Sequence, residues 1–292
     1  MFDIQDFHQA KNIAEAVDLL RANPEAKLIA GGTDVLVKLR HQDKKYRKLV
    51  DIHGLAELKQ CSLNGSGLFV GAGLTFSEVM ASDLVRKHIP VLAEASATVA
   101  GPQIRNMGTV GGNIANGATS ADTAAPMLVL EPELIIQSPS GLRRASILGF
   151  HTGPGQVALE KDEVLAGFQF DLERLEGLGA AYYKYAMRSA MDIATIGCAA
   201  GVRMKDGVID GLRLALTVAA PTPIRCPKAE AAALNQPLTD ELLEKIKKAL
   251  EEDIKPRTSW RATREFRIRI IKTLAERMIR AAANNSLNKG GK

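Results

Sequence analysis

With 292 residues, 24% charged, 46% apolar and only 4% aromatic, the chain has the composition of an ordinary globular protein, long enough for about two domains at roughly 150 residues each. Its net charge of +5 raises nucleic acid as a partner, but the basic residues lack interleaved aromatics or a recognised binding motif, so a docking surface for a partner subunit fits better. Cys61, Cys198 and Cys226 are odd in number and far apart, which excludes a disulfide framework or a CxxC motif and predicts three buried, reduced thiols. The start has no basic region followed by an apolar run, and nowhere do about 18 apolar residues run unbroken, so a cytoplasmic location without a membrane segment is expected.

Residues 12–22 carry Ile13, Val17 and Leu20 at helical spacing, and the run 27–30 ends in Gly31 and Gly32, which reads as helix, strand, glycine turn. Thr33 or Asp34 is placed to cap a second helix over 35–39, and 48–52 reads as the next strand. Asn64, Gly65, Ser66 and Gly67 separate a pair of apolar runs as in a hairpin, and Thr75 with Glu78 forms a capping box that opens a helix. A helical pattern over 89–99 ends at Gly101 and Pro102. Five glycines between 101 and 117 lead into small residues up to Asp122, then the apolar run 127–130. Strands are predicted at 134–137, 141–147 and 164–170, with a loop at 150–155. The polar stretch 171–179 is the candidate domain boundary. Beyond it, 182–186, 195–204 and 208–218 read as strands, the last two joined by an Asp206-Gly207 turn. Helices follow at 226–234 and 239–252, and a basic helix closes the chain, with Phe266, Ile270, Leu274 and Met278 as its buried stripe. The tail after Ala283 is expected to fray. The predicted domains are 1–176, divided into about 1–55 and 56–176, and 177–284, with 285–292 as the tail.

Two glycine-rich turns stand out, Ala30-Gly31-Gly32-Thr33-Asp34 and Thr109-Val110-Gly111-Gly112-Asn113. Glycines there let backbone N–H groups approach an anion with no Cβ in the way, which suits a pyrophosphate, and two such turns can clamp one dinucleotide. Two tight turns without a ligand fit the spacing equally well. No GxGxxG follows a strand and no GxxxxGK[ST] occurs, which disfavours a Rossmann dehydrogenase or a P-loop kinase. His8, His41, His53, His88 and His151 are scattered without HExxH or a carboxylate at ligand spacing, which disfavours a zinc hydrolase.

The segments KLIAGGTD (27–34), GPQIRNMGTVGGNIANGATSAD (101–122) and YKYAMRSAMDIATIG (183–197) resemble the FAD-binding subunits of molybdenum hydroxylases. The likeness extends over essentially the whole chain, and FHTGPGQ (150–156) with PRTSWRATREFR (256–267) looks most like the bacterial xanthine dehydrogenase branch. The resemblance implies an α+β fold: a two-subdomain vanillyl-alcohol-oxidase/PCMH-type FAD-binding domain followed by a smaller α+β C-terminal domain. It implies that Lys27, Leu28, Ile29, Ala30, Gly31, Gly32, Thr33 and Asp34, with Thr109, Val110, Gly111, Gly112 and Asn113, hold the FAD pyrophosphate and ribityl chain. Asp122 would accept hydrogen bonds from the cofactor, or cap the element that begins near Pro126. Leu165 would lie beside the flavin through its backbone, or simply fill a core strand. Lys184 would sit at the isoalloxazine, or be a surface lysine on a strand. Arg188 and Asp192 would shape a nicotinamide entrance, and Val99 stands where some relatives carry a stacking aromatic.

By the same resemblance the chain holds no metal and no catalytic side chain of its own. It passes electrons through FAD to NAD⁺ from 2Fe-2S clusters on a small partner subunit, in a dimer of heterotrimers whose large subunit holds the molybdenum cofactor. Neither nucleic acid nor membrane is a partner. The alternatives are a free-standing flavin oxidoreductase of the same fold and a flavin-free assembly subunit.

Overall fold

In a computed structural model, which describes residues 2–290, the chain opens with β1 (Asp6–Gln9), α1 (Ile13–Ala22), β2 (Lys27–Ile29), α2 (Val35–Arg40) and β3 (Lys48–Asp51). The strands run parallel in the order β1-β3-β2, because a helix returns the chain to the same end after each of the first two. Asn12 starts α1 by accepting from the Glu15 N–H at 2.8 Å, and Ala16, Val17 and Leu20 give it one buried face.

Next come β4 (Cys61–Asn64) and β5 (Gly67–Gly71), paired as the predicted hairpin, and six short helices: α3 (Phe76–Ala81), α4 (Asp83–His88), α5 (Pro90–Ala97), α6 (Pro102–Arg105), α7 (Val110–Ala115) and α8 (Ala124–Leu130). Then β6 (Glu133–Ser138), β7 (Gly141–Ser146) and β10 (Val164–Asp171) complete an antiparallel sheet in the order β4-β5-β10-β6-β7. Between them β8 (His151–Gly153) and β9 (Gln156–Val157) form a small hairpin where a loop was predicted. Gly153-Pro154-Gly155 is its turn: Gly155 has φ +70° and its N–H donates to the Gly117 carbonyl at 2.9 Å, which ties the hairpin to the rest of the subdomain.

The remaining residues build an antiparallel sheet of β11 (Leu178–Tyr185), β12 (Ile196–Lys205), β13 (Val208–Thr217) and β14 (Ile224–Arg225), backed by α9 (Pro227–Ala233), α10 (Asp240–Asp253) and α11 (Arg264–Gly290). Ala199 and Ala215 on one face join the core built by β5, β6, β10, α5 and α8, while Cys198, Ala200, Leu214 and Leu216 on the other pack under α9–α11. β12 is buried on both faces from 196 to 202, and so reads as an unbroken run of small and apolar residues.

The closing helix differs from its prediction in two ways. Its buried face is Arg267, Ile271, Leu274, Ala275, Ile279, Ala282 and Ala283, leaving Phe266 42% exposed. The stripe is about a residue out of phase because steps of exactly four drift away from a 3.6-residue turn. The helix also continues to Gly290 rather than fraying after Ala283. Buried Ser286 fastens it, donating to the Gly177 carbonyl at 2.7 Å and accepting from the Met204 N–H at 3.1 Å. Residues 291–292 of the expected tail lie outside the described residues. Cys198 and Cys226 are buried thiols, whereas Cys61 is only half-buried. Among the described residues no helix is long and apolar enough to cross a membrane.

Candidate cofactor site

A cavity of about 420 Å³ lies between the parallel and antiparallel sheets, within the range of small-ligand sites. It is lined by Lys27, Leu28, Ala30, Gly31, Gly32, Thr33 and Asp34 from the first turn, by Thr109, Gly111, Gly112 and Asn113 from the second, and by Leu165 of β10. Of the predicted residues, Ile29, Val110, Asp122 and Lys184 do not line it; Val110 is buried in the core beneath.

The glycines of the two turns do different jobs. A Cβ on Gly31 would stand 1.7 Å from the Met107 carbonyl oxygen, and one on Gly111 would stand 2.4 Å from the Ala72 Cβ. Both therefore serve close approach of backbone to backbone. Gly32 has φ +71°, which disfavours a side chain. At Gly112 a Cβ would meet only the Thr109 Oγ1, at 2.8 Å, so the remaining space belongs to the cavity.

The backbone donors divide the same way. In the second turn Val110 N–H donates to Leu74 O, Gly111 N–H to Ala72 O, Asn113 N–H to Thr109 O, and Gly112 N–H to Thr109 Oγ1. In the first turn the N–H groups of Gly31, Gly32, Thr33 and Asp34 meet no protein acceptor among the described residues. The predicted cap is absent there: Asp34 occupies the N-cap position of α2 without a side-chain hydrogen bond. The run of free donors thus belongs to the first turn, while in the second only the Thr109 N–H meets no protein acceptor among the described residues and the other four are already used.

Beyond Val99, which also lines the cavity, Lys184 and Asp122 form a buried ion pair. The Lys184 Nζ donates to Asp122 Oδ2 at 2.8 Å and to the Thr98 carbonyl at 2.9 Å; the two side chains are 8% and 10% exposed. Tyr182 OH reaches Asp122 Oδ1 at 3.4 Å. Burial pushes the Asp122 carboxyl up to about 6, against the pull of the Lys184 ammonium. Neither structural alternative holds: Lys184 is no surface lysine, and the N-cap of α8 is Thr123 rather than Asp122, with no side-chain cap hydrogen bond. Asp192 folds the 186–194 loop on itself, accepting from the N–H groups of Met187, Arg188 and Ile193, while Arg188 stays exposed and donates to the Met191 carbonyl.

Sequence reasoning missed Lys38, Tyr46, Asn116, Phe76, Leu159, Glu160, Lys161 and Glu163, all of which line the cavity. Only Lys38 left a trace, standing one helical turn beyond Asp34; the others are brought in by long-range packing.

A family model described as the FAD binding domain in molybdopterin dehydrogenase matches residues 2–170, and one described as the CO dehydrogenase flavoprotein C-terminal domain matches 181–282. The chain belongs to this family of flavin subunits. It is 50% identical, over 97% of both chains, to the xanthine dehydrogenase FAD-binding subunit of Escherichia coli O157:H7. The carbon monoxide dehydrogenase medium chain of Hydrogenophaga pseudoflava is 30% identical over 95% of this chain and 96% of its own. In structure it matches a carbon monoxide dehydrogenase from Hydrogenophaga pseudoflava with a TM-score of 0.94, at 31% identity over 98% of this chain and 99% of that one. Quinoline 2-oxidoreductase from Pseudomonas putida 86 follows at 0.92, 26% identity, and the same coverage. The predicted α+β flavin-subunit fold and family are therefore established, and the family's cofactor is FAD. The cavity fits it: a row of backbone donors without protein acceptors faces the space left open at Gly112.

Proposed function

We propose that the cavity holds non-covalent FAD with its diphosphate on the N–H groups of Gly31, Gly32, Thr33 and Asp34, and that the chain is the flavin subunit of a xanthine dehydrogenase. The four N–H groups without protein acceptors carry this reading, because donors left over at a cavity wall call for an anion. The second turn acts as a wall: Gly112 leaves room, and Thr109 fixes the backbone so that the room persists. Leu165, on the cavity wall, would present β10 to the flavin ring, and the Lys184–Asp122 pair, which lies behind the wall, would set the charge near it. When bound, FAD supplies hydride transfer.

In this reading electrons arrive from 2Fe-2S clusters on a small subunit and leave to NAD⁺, with the molybdenum cofactor on a large subunit, in a cytoplasmic dimer of heterotrimers. Xanthine as the substrate is supported by the 50% identity to the Escherichia coli xanthine dehydrogenase subunit, against 30% to the carbon monoxide dehydrogenase medium chain. The test is to purify the chain with its partners, measure flavin, and follow NADH formation with xanthine. One FAD per chain and xanthine-dependent NADH are expected. A well-folded complex without flavin would sink the cavity assignment; a flavin-loaded complex inert towards xanthine but active on another substrate would sink the substrate.

A further inference from the structure

Lys38 stands in the second turn of α2 and lines the cavity. Asp34 lies four residues before it, at the spacing of an ordinary helix ion pair, yet no such pair forms. Instead the Lys38 Nζ donates to Tyr46 OH at 2.7 Å and to Asn116 Oδ1 at 3.2 Å, and lies 4.6 Å from the centre of the Tyr46 ring. Asn116 follows the second glycine turn, 78 residues away in sequence, so the lysine bridges the two sides of the cavity. Both acceptors are neutral, and among the described residues no carboxylate pairs with the ammonium. Asp34, Glu160 and Glu163 also line the cavity, but with its ammonium held by two neutral oxygens and no ion pair among the described residues, Lys38 points a cationic group at the cavity wall without a direct carboxylate partner.

We propose that Lys38 is the counter-charge for the FAD diphosphate and sets the chain's preference for a phosphorylated flavin, with Tyr46 and Asn116 holding its ammonium in position. This rests on the reading of the cavity as the FAD site. The four N–H groups of the first turn supply directional hydrogen bonds, whereas Lys38 supplies the net charge that those neutral donors lack.

The experiment is equilibrium binding of FAD to the cofactor-stripped full chain at low and high salt, for the parent, Lys38→Met and Lys38→Arg, with melting curves of each to confirm folding. The parent is expected to bind FAD less tightly as salt rises, because salt screens the ion contact. Lys38→Met should bind about tenfold more weakly at low salt, or about 1.4 kcal/mol, with a flatter salt dependence, so that the two affinities converge at high salt. Lys38→Arg should restore most of the loss. A Lys38→Met chain that binds as the parent does, or one weakened equally at all salt concentrations, overturns the proposal while leaving the cavity assignment standing. A folded parent that binds no FAD overturns both.

Discussion

Gly31 and Gly112 look alike in the sequence, each within a doubled glycine, but they exclude side chains for different neighbours. Gly31→Ala puts a Cβ 1.7 Å from the Met107 carbonyl oxygen, so the cofactor-free chain should melt lower. A Cβ at Gly112 meets only Thr109 Oγ1 outside its own helix backbone, so Gly112→Val should fold with a modest loss yet retain little FAD, its branched end filling the cavity. Melting of the stripped chain and flavin content of the loaded one separate the two, and full flavin content in Gly112→Val would show that the open space is not used. That these turns matter was legible from composition; which glycine serves the fold was not, because that depends on residues 107 and 72, distant in sequence. The Lys184–Asp122 pair was legible only as two separate residues. Its coupling has a pH signature. Asp122 has its carboxyl raised from 3.8 to about 6 in the fold, so its proton favours folding: that contribution is present below about 4 and lost as pH rises through about 6. Asp122→Asn should therefore lose less stability than the parent between those limits, which melting curves at several pH values will show. The pair also tempers what Lys184 does to the flavin. Below pH about 6 the ammonium faces a neutral acid, and Lys184→Met should lower the flavin potential by roughly 30 mV, or about 1.4 kcal/mol. Above it the loss of the ammonium leaves Asp122 protonated to a higher pH, so the difference between variant and parent should shrink. A gap that does not change with pH would refute the coupling.

Among the elements, α3 was the most legible, because the Thr75 and Glu78 side chains satisfy each other's end of the first turn. Thr75 Oγ1 accepts from the Glu78 N–H at 3.2 Å, and Glu78 Oε2 accepts from the Thr75 N–H at 2.7 Å. This cap also supports the site: Thr75 bridges Thr109, and Phe76 N–H donates to the Gly108 carbonyl at 3.1 Å, so α3 buttresses the second glycine turn. Thr75→Ala is expected to cost about 1 kcal/mol of stability and to weaken FAD binding along with it; a lower melting point with unchanged FAD affinity would show that the wall stands without its buttress. Illegible elements share a cause, the absence of a periodic contrast. In α8 every residue from Ala124 to Leu130 is buried, so its run carries no helical period. The two short strands of the 151–157 hairpin are fixed by the Gly117 carbonyl rather than by their own pattern.

At the scale of the whole molecule, the boundary predicted near 176 marks a change of sheet, but the halves share a core. Arg213 donates to the Val129 carbonyl at 2.8 Å and Arg225 to the Leu128 carbonyl at 3.1 Å, so the C-terminal half satisfies the end of α8. Glu131, left-handed at φ +50°, takes ion pairs from both arginines. A fragment of residues 1–176 would expose the α8 carbonyls and the apolar face that now meets Ala199 and Ala215. Lys184 adds a functional tie, since it stands on β11 but its two acceptors, Thr98 and Asp122, belong to the preceding half. Ligand linkage then reaches across the boundary. A ligand that binds only the folded chain adds about 2.7 kcal/mol at a hundredfold excess over its dissociation constant, and because the Lys184 contact closes only when both halves are folded, that gain cannot be confined to one of them. Heating with increasing free FAD should thus move a single cooperative transition upward, reported alike by probes in either half; a C-terminal half that melts at a temperature indifferent to FAD would show that the cofactor stabilises its own domain alone.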